Sequence, residues 1–303
     1  MFSQFSSFHL DRAGVRLQGR ISKHVNGQGG APLPALLLLH GHPQTHCMWH
    51  RVTPTLAQHR TVVMMDLRGY GDSGRPQADE GHVNHSKREM ALDVIDVMQH
   101  HGCAQFDVLA HDRGARVAHR LAADHPQAVR RLMLLDIAPT LAMYDNTTRA
   151  FATAYWHWFF LIQPPPLPEA LIESDPVRYI RSGLGSRHAG LAAFSLDAMA
   201  EYERCIQIPG SARSICEDYR ASATIDLDHD RADIDAGYKL AMPLHVLWGA
   251  HGAVGQNFDV LKLWRERAQH VSGEALLCGH YIAEEAPDAL LARAHMFFNA
   301  GSA

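Results

Sequence analysis

Cysteine is scarce in this chain. Five in 303 residues (Cys47, Cys103, Cys205, Cys216 and Cys278) are scattered without CxxC spacing. Their odd number and wide separation argue against a disulfide framework and imply reduced thiols in a cytoplasmic setting. Long hydrophobic runs are missing too. The longest, around Ala35–Leu39, is far too short to cross a bilayer. No basic stretch followed by an apolar one opens the chain, so neither a membrane association nor a leader is expected. Positive charge is not in excess: the formal net charge of −4 argues against a nucleic-acid partner. The 22 histidines are many, and His40/His42 and His100/His101 lie close together. No HExxH or Cys/His cluster accompanies them, so no metal is expected. The glycine-rich stretch 67–74 is not followed by GK[ST], which excludes a phosphate loop.

With 47% hydrophobic and 20% charged residues, the chain has enough apolar material for one large domain plus an insertion. Residues 5–10 and 15–22 flank the turn Asp11-Arg12-Ala13-Gly14 and predict a β-hairpin. A loop is expected over 27–34. Short apolar runs at 36–39, 61–66, 106–110, 131–136, 244–248 and 274–278 predict buried strands of a mostly parallel sheet. Helices are predicted between them. One is opened by the capping box Ser86-Lys87-Arg88-Glu89 and closed by Gly102. One runs from Ala115 to about Asp124, one over 258–268, and the last over 284–300. Between Thr140 and about Leu240 the alternation stops and the texture becomes helical. The division expected is a core of 1–139 and 241–303 with a helical cap of 140–240, in which the proline-rich stretch 164–168 is a stiff connector.

The stretch FDVLAHDRGARVA (106–118) organises the rest. A strand leads into a sharp turn at Asp112, with Ala110 and Gly114 two positions either side. That is the frame of a nucleophile elbow, where larger flanking residues would clash at a strained strand-to-helix corner. The usual serine suits acyl transfer. An Asp carboxylate attacking saturated carbon instead forms an ester, which a base-activated water can cleave at the Asp carbonyl carbon. The elbow therefore points to hydrolysis of carbon–halogen bonds or epoxides. Arg113 and Arg116 lie three apart at the helix start and share a face. Cations there oppose the helix macrodipole, which makes sense if an anion sits between them, and guanidinium forks bind carboxylates. The same charge keeps Asp112 ionised.

His111-Asp112-Arg113-Gly114-Ala115-Arg116 resembles the active-site segment of the fluoroacetate (haloacetate) dehalogenases, within the α/β-hydrolase superfamily. The resemblance implies an α/β-hydrolase fold with an inserted helical cap, a substrate that carries its own carboxylate, no cofactor, and a homodimer. It runs from His40-Gly41-His42-Pro43-Gln44 to the last His segment. In that turn the backbone N–H of His42, with that of Arg113, would form an oxyanion hole. The family usually has an aromatic residue where His42 stands. Asp136 falls where the next parallel strand should emerge, a fit place for the acid that orients the catalytic base. The other usual place reads Gly249-Ala250-His251-Gly252 and lacks an Asp. His280 follows the last predicted strand, giving the chain order nucleophile, acid, base. The resemblance assigns halide binding to His157 and Trp158, and to Tyr219 within Cys216-Glu217-Asp218-Tyr219-Arg220. The residues alone do not choose His157 over Tyr155.

The activity expected is conversion of a haloacetate, fluoroacetate or chloroacetate, to glycolate and halide. Two rivals stand beside it. An epoxide hydrolase of the same fold would use Asp112 on a neutral ring, with Tyr144, Tyr155 or Tyr219 donating to the epoxide oxygen. A non-catalytic α/β-hydrolase receptor would bind ligand without turnover, though such proteins often lose part of the triad.

Overall fold

The computed structural model describes residues 1–23 and 33–300, so most of the loop expected over 27–34 lies outside the described residues. Strands β1 (Phe5–Arg12) and β2 (Val15–Ser22) form the antiparallel hairpin, closed where Arg12 faces Val15. They are followed by β3 (Ala35–Leu39), β4 (Thr61–Met65), β5 (Phe106–His111), β6 (Val129–Leu135), β7 (Leu244–Gly249) and β8 (Val271–Leu276). The sheet order is β1-β2-β4-β3-β5-β6-β7-β8, with β4 through β8 parallel. This is the mostly parallel sheet of an α/β-hydrolase fold.

All residues of β3 and β5 are buried, as expected of central strands covered on both faces. Leu36 to Leu39 are fully buried, each worth roughly 2 kcal/mol relative to exposure. Helices α1 (Thr53–Leu56), α2 (Lys87–His100) and α3 (Asp112–Asp124) follow β3, β4 and β5. The Ser86 hydroxyl accepts from the Glu89 N–H at 3.2 Å to start α2, and Gly102, at φ +72°, follows its end.

Between β6 and β7 the chain forms α4 (Thr140–Asp145), α5 (Arg149–Ala154), α6 (Trp156–Leu161), α7 (Leu167–Ser174), α8 (Pro176–Gly185), α9 (Leu196–Ile206), α10 (Ser211–Ser222) and α11 (Ile225–Asp235). The stretch 164–168 is not a free connector throughout, because α7 begins at Leu167. The remaining helices are α12 (Ala253–Asn257), α13 (Val260–Arg267), α14 (Ile282–Glu285) and α15 (Pro287–Asn299).

Besides shifts of one or two residues, as at the start of β6, three boundaries differ from the sequence expectation. Helix α3 begins at Asp112, not Ala115: the turn residues already belong to its first turn, where backbone N–H groups need no intrahelical partner. Strand β8 is Val271–Leu276, three residues earlier at its start than expected. It is a half-exposed edge strand whose place is set by pairing Val271 with Leu244 and Leu276 with Gly249, not by apolar pattern. The final helix is two, interrupted at Ala286 before Pro287, which starts α15 where its missing N–H costs nothing. No described helix is long and apolar enough to cross a membrane.

Candidate active site

The C-terminal ends of neighbouring parallel strands gather the chemistry. His42 follows β3, Asp112 follows β5, Asp136 follows β6, and His280 lies just past β8. In open α/β sheets ligands bind at this edge.

The elbow is tight. Asp112 has φ +45°, a left-handed backbone that a non-glycine residue adopts only under constraint. Two glycines permit it. A Cβ on Gly114 would lie 2.3 Å from the His40 carbonyl oxygen, and one on Gly41 would lie 2.4 Å from Asp112 Cβ. The close approach of Gly41 lets the next backbone N–H, of His42, donate to Asp112 Oδ1 at 2.9 Å. The two carboxylate oxygens are thereby made unequal.

Asp136, also left-handed at φ +50°, accepts from the Gly249 N–H at 3.0 Å through Oδ1. Its Oδ2 lies 2.6 Å from His280 Nδ1. The carboxylate thus fixes the ring so that Nε2 is left for chemistry. His111 Nε2 donates to the His280 carbonyl at 2.9 Å, and its ring centroid lies 4.5 Å from that of His280. This pins the loop that carries the base. Burial pushes His111 down to about 3, so it stays neutral. Burial alone would raise the Asp112 carboxyl. The charges of His280, Arg113 and Arg116 outweigh it and hold the group below the usual carboxylate range.

Asp218, on α10, occupies much of Arg113. Arg113 Nε donates to Asp218 Oδ2 and Nη2 to Asp218 Oδ1, both at 2.9 Å. Nη2 also reaches the Asp218 carbonyl and Ser222 Oγ. The fork expected for a substrate is therefore closed on the protein, and Nη1 is left without a protein partner. Arg116 donates from Nη1 to Thr140 Oγ1 at 2.8 Å and to the Ala138 carbonyl at 3.2 Å, while its Nε is unpartnered. The Arg113 guanidinium lies 4.1 Å from the Tyr219 ring centroid and that of Arg116 4.6 Å from the Trp158 ring. Trp158 Nε1 and the Tyr219 hydroxyl are buried without protein partners as well. Four donors from two arginines and two aromatic rings are thus buried without a protein partner.

Rings join this cluster to the nucleophile. Centroid separations are 5.5 Å for His42 and Tyr219, 5.9 Å for His157 and Tyr219, and 6.3 Å for His42 and His157. Burial lowers the pKa of both histidines, that of His42 to about 4. They are neutral rings carrying one N–H each. A cavity of about 40 Å³ is lined by Asp112, His280, His42, His157 and, from the helical insertion, Tyr155 and Arg187. Arg113, Arg116, Trp158 and Tyr219 are not among its lining residues, although the Tyr219 ring is in contact with both histidines that are.

Sequence reasoning missed two residues. Asp218 was visible only as the neighbour of Tyr219, and nothing local shows that it meets an arginine 105 positions earlier. Arg187 sits in no motif. Only the folding of the segment after α8 over the sheet edge brings it to Asp112. Among the described residues no group of three or more His, Cys, Asp or Glu is arranged to hold a metal ion.

The family model for the alpha/beta hydrolase fold matches residues 34–287. A fluoroacetate dehalogenase of Burkholderia sp is 40% identical over 265 residues, covering 87% of this chain and 86% of that one. A soluble epoxide hydrolase of Corynebacterium sp. (strain C12) is 35% identical over 286 residues, covering 93% and 95%. Among solved structures, an α/β hydrolase from Nostoc sp PCC 7120 superposes with a TM-score of 0.92 at 49% identity, covering 99% of this chain and all of that one.

Proposed function

This chain belongs to the α/β-hydrolase family, and from that premise we propose that it hydrolyses the carbon–halogen bond of a haloacetate to give glycolate and halide. The observation that carries the reading is the cluster of unused donors (Arg113 Nη1, Arg116 Nε, Trp158 Nε1 and the Tyr219 hydroxyl) beside an ionised Asp112. A neutral substrate would leave Arg113 Nη1 and Arg116 Nε without an anionic partner. A haloacetate offers a carboxylate to the arginines and a departing halide to the aromatic donors. The Burkholderia relative, a fluoroacetate dehalogenase, supports the same choice.

In this mechanism Asp112 Oδ2 attacks the carbon bearing halogen, the carbon–halogen bond breaks, and the halide leaves with the bonding pair. His157, Trp158 and Tyr219 stabilise it. Their N–H and O–H groups gain most from the charge that develops on halogen, so they favour the transition state over bound substrate. The product of the first step is an ester on Asp112. His280 Nε2 then takes a proton from water, which attacks the Asp112 carbonyl carbon. The oxyanion forms on Oδ1, already held by the His42 N–H, with the Arg113 N–H as the second donor. Collapse expels glycolate, which takes the first proton back from His280 and leaves Asp112 as the carboxylic acid; His280 Nε2 takes this second proton and passes it to solvent, which restores the carboxylate. Asp136 stabilises the imidazolium that forms between these events.

A second reading has one specific support. The free Tyr219 hydroxyl could donate to an epoxide oxygen, and the Corynebacterium relative is an epoxide hydrolase. Halide release from fluoroacetate and chloroacetate, run beside styrene oxide hydrolysis, separates the two. The proposal expects halide from at least one acid and little or no diol. Diol without halide overturns it in favour of the epoxide hydrolase. Tight binding of haloacetate with neither product would mark a ligand receptor.

A further inference from the structure

Arg187 is a cation that the mechanism above does not use. It follows α8, and its guanidinium lies 4.9 Å from the Tyr155 ring centroid. It donates weakly to the Ala154 carbonyl at 3.4 Å and meets the Tyr281 side chain. None of these partners is a carboxylate, although burial disfavours an unpaired charge. The arginine is therefore half-buried with no carboxylate bonded to it, Asp136 and Asp112 acting on its charge through space, and it faces the same space as Asp112.

Two cavities meet at this side chain. The inner one holds Asp112 and His280. The outer one, about 290 Å³, is lined by Thr153, His188, His251 and Gln256 among others, and the two share Ala154, Trp156, Ser186, Arg187 and His280. Among the described residues no Asp or Glu lines the outer cavity, and the inner one has only the nucleophile. In a chain whose net charge is −4, the described residues around these two cavities thus bring a single carboxylate, that of Asp112. A cleft lined by one sign of charge within low-dielectric walls focuses its field and concentrates the opposite sign. Among the described residues, Arg187 is the one Lys or Arg lining either cavity. Its charge acts on Asp112, His42 and His157, so its field reaches the floor of the inner chamber.

We propose that Arg187 is the residue by which this enzyme selects anions. It draws a small monocarboxylate from the outer cavity into the inner one, and its charge adds to the affinity of the bound substrate alongside Arg113 and Arg116. This deepens the haloacetate reading and rests on it. Arg187 is a specificity-determining residue in this account, since it makes no bond to the reacting carbon.

The test compares chloroacetate with its neutral analogue chloroacetamide in the wild type, Arg187→Gln and Arg187→Lys. Losing a charge-assisted contact should raise KM for chloroacetate about tenfold, with kcat changed by less than about threefold. The chloroacetate-to-chloroacetamide ratio of kcat/KM should fall by the same factor, and Arg187→Lys should restore most of it. The salt sensitivity of kcat/KM for chloroacetate should weaken in Arg187→Gln. An unchanged ratio overturns the proposal. So does an equal loss on both substrates, which would mark damage to the fold or the chemistry. Calorimetric binding of glycolate to the wild type and Arg187→Gln reads the same residue without turnover. A wild type that releases no halide therefore sinks the dehalogenase reading alone, while equal glycolate affinity in the two proteins sinks the role of Arg187.

Discussion

Replacing Asp218 by Asn should destabilise the protein and loosen its grip on substrate at the same time. Asp218 is fully buried and accepts from Arg113 Nε and Nη2, Lys87 Nζ and the Tyr70 hydroxyl, the last at 2.6 Å. Asn keeps the shape but turns one acceptor oxygen into an NH₂ group facing a cation. Arg113 and Lys87 are then left buried, with Asp226 Oδ2, 3.7 Å from Lys87 Nζ, as the nearest compensation. Breaking a buried ion pair from one side costs about 3–5 kcal/mol. At about 2 °C per kcal/mol for a chain of this size, Tm should fall by about 6–10 °C at pH 7. Burial alone would raise the Asp218 carboxyl, but Arg113 and Lys87 hold it far below its usual range. Its stabilisation is therefore complete above the unfolded value and is lost only as pH falls toward the folded one, so the gap between wild type and variant should narrow only below about pH 4. Adding Lys87→Met to Asp218→Asn removes one stranded cation and should recover part of the loss. Released from its fork, Arg113 no longer aims Nη1, and KM for haloacetate should rise. An Asp218→Asn variant that melts within about 2 °C of wild type, with the same KM, would show that this network neither supports the fold nor holds the arginine.

His280→Gln should stop the reaction after its first half, since the ester forms without the base but cannot be hydrolysed. Intact-mass and peptide spectra after incubation with chloroacetate should then show one added carboxymethyl group on Asp112; an unmodified protein refutes the ester route. Glu284 offers a prediction in pH. It is buried against Tyr202 at 3.1 Å and against the Gln44 amide, and burial pushes its carboxyl up to about 8. A carboxyl raised on folding makes the folded state bind the extra proton, so stability should decline as pH rises from about 4.3 to about 8. Glu284→Gln should flatten that decline in a series of melting curves, and an identical slope in both proteins counts against a neutral Glu284. A protonated Glu284 can donate to Gln44 once the amide turns, which gives a partner to the amide oxygen that is otherwise buried without one.

How much of this was legible depended on whether the cause was local. The elbow was, because steric crowding at a strand-to-helix corner restricts its immediate neighbours: Gly114 is small because the His40 carbonyl lies against it. The His280–Asp136 contact was legible from chain order, from the place of Asp136 after the strand beside the elbow, and from the resemblance. What the sequence hid depends on distant pairing. Arg113 and Arg116 read as a matched pair at the helix start, yet one is clamped by an acid on α10 and the other by a carbonyl and a hydroxyl near the start of α4. Arg187 carries no local mark, since its position follows from how the segment after α8 lies over the sheet. The edge strand β8 was misplaced for a related reason. Its residues are half exposed, so pairing with β7, and not apolar pattern, decides where it begins.

The His42 N–H holds one oxygen of Asp112 and leaves the other free. Under the ester mechanism these two atoms have different fates. The free oxygen departs inside the hydroxy acid, and solvent supplies its replacement. The held oxygen never leaves. Each turnover thus exchanges one atom of the polypeptide, always on the same side of the same residue. The glycolate oxygen that comes from a given catalytic event is one that an earlier water left behind.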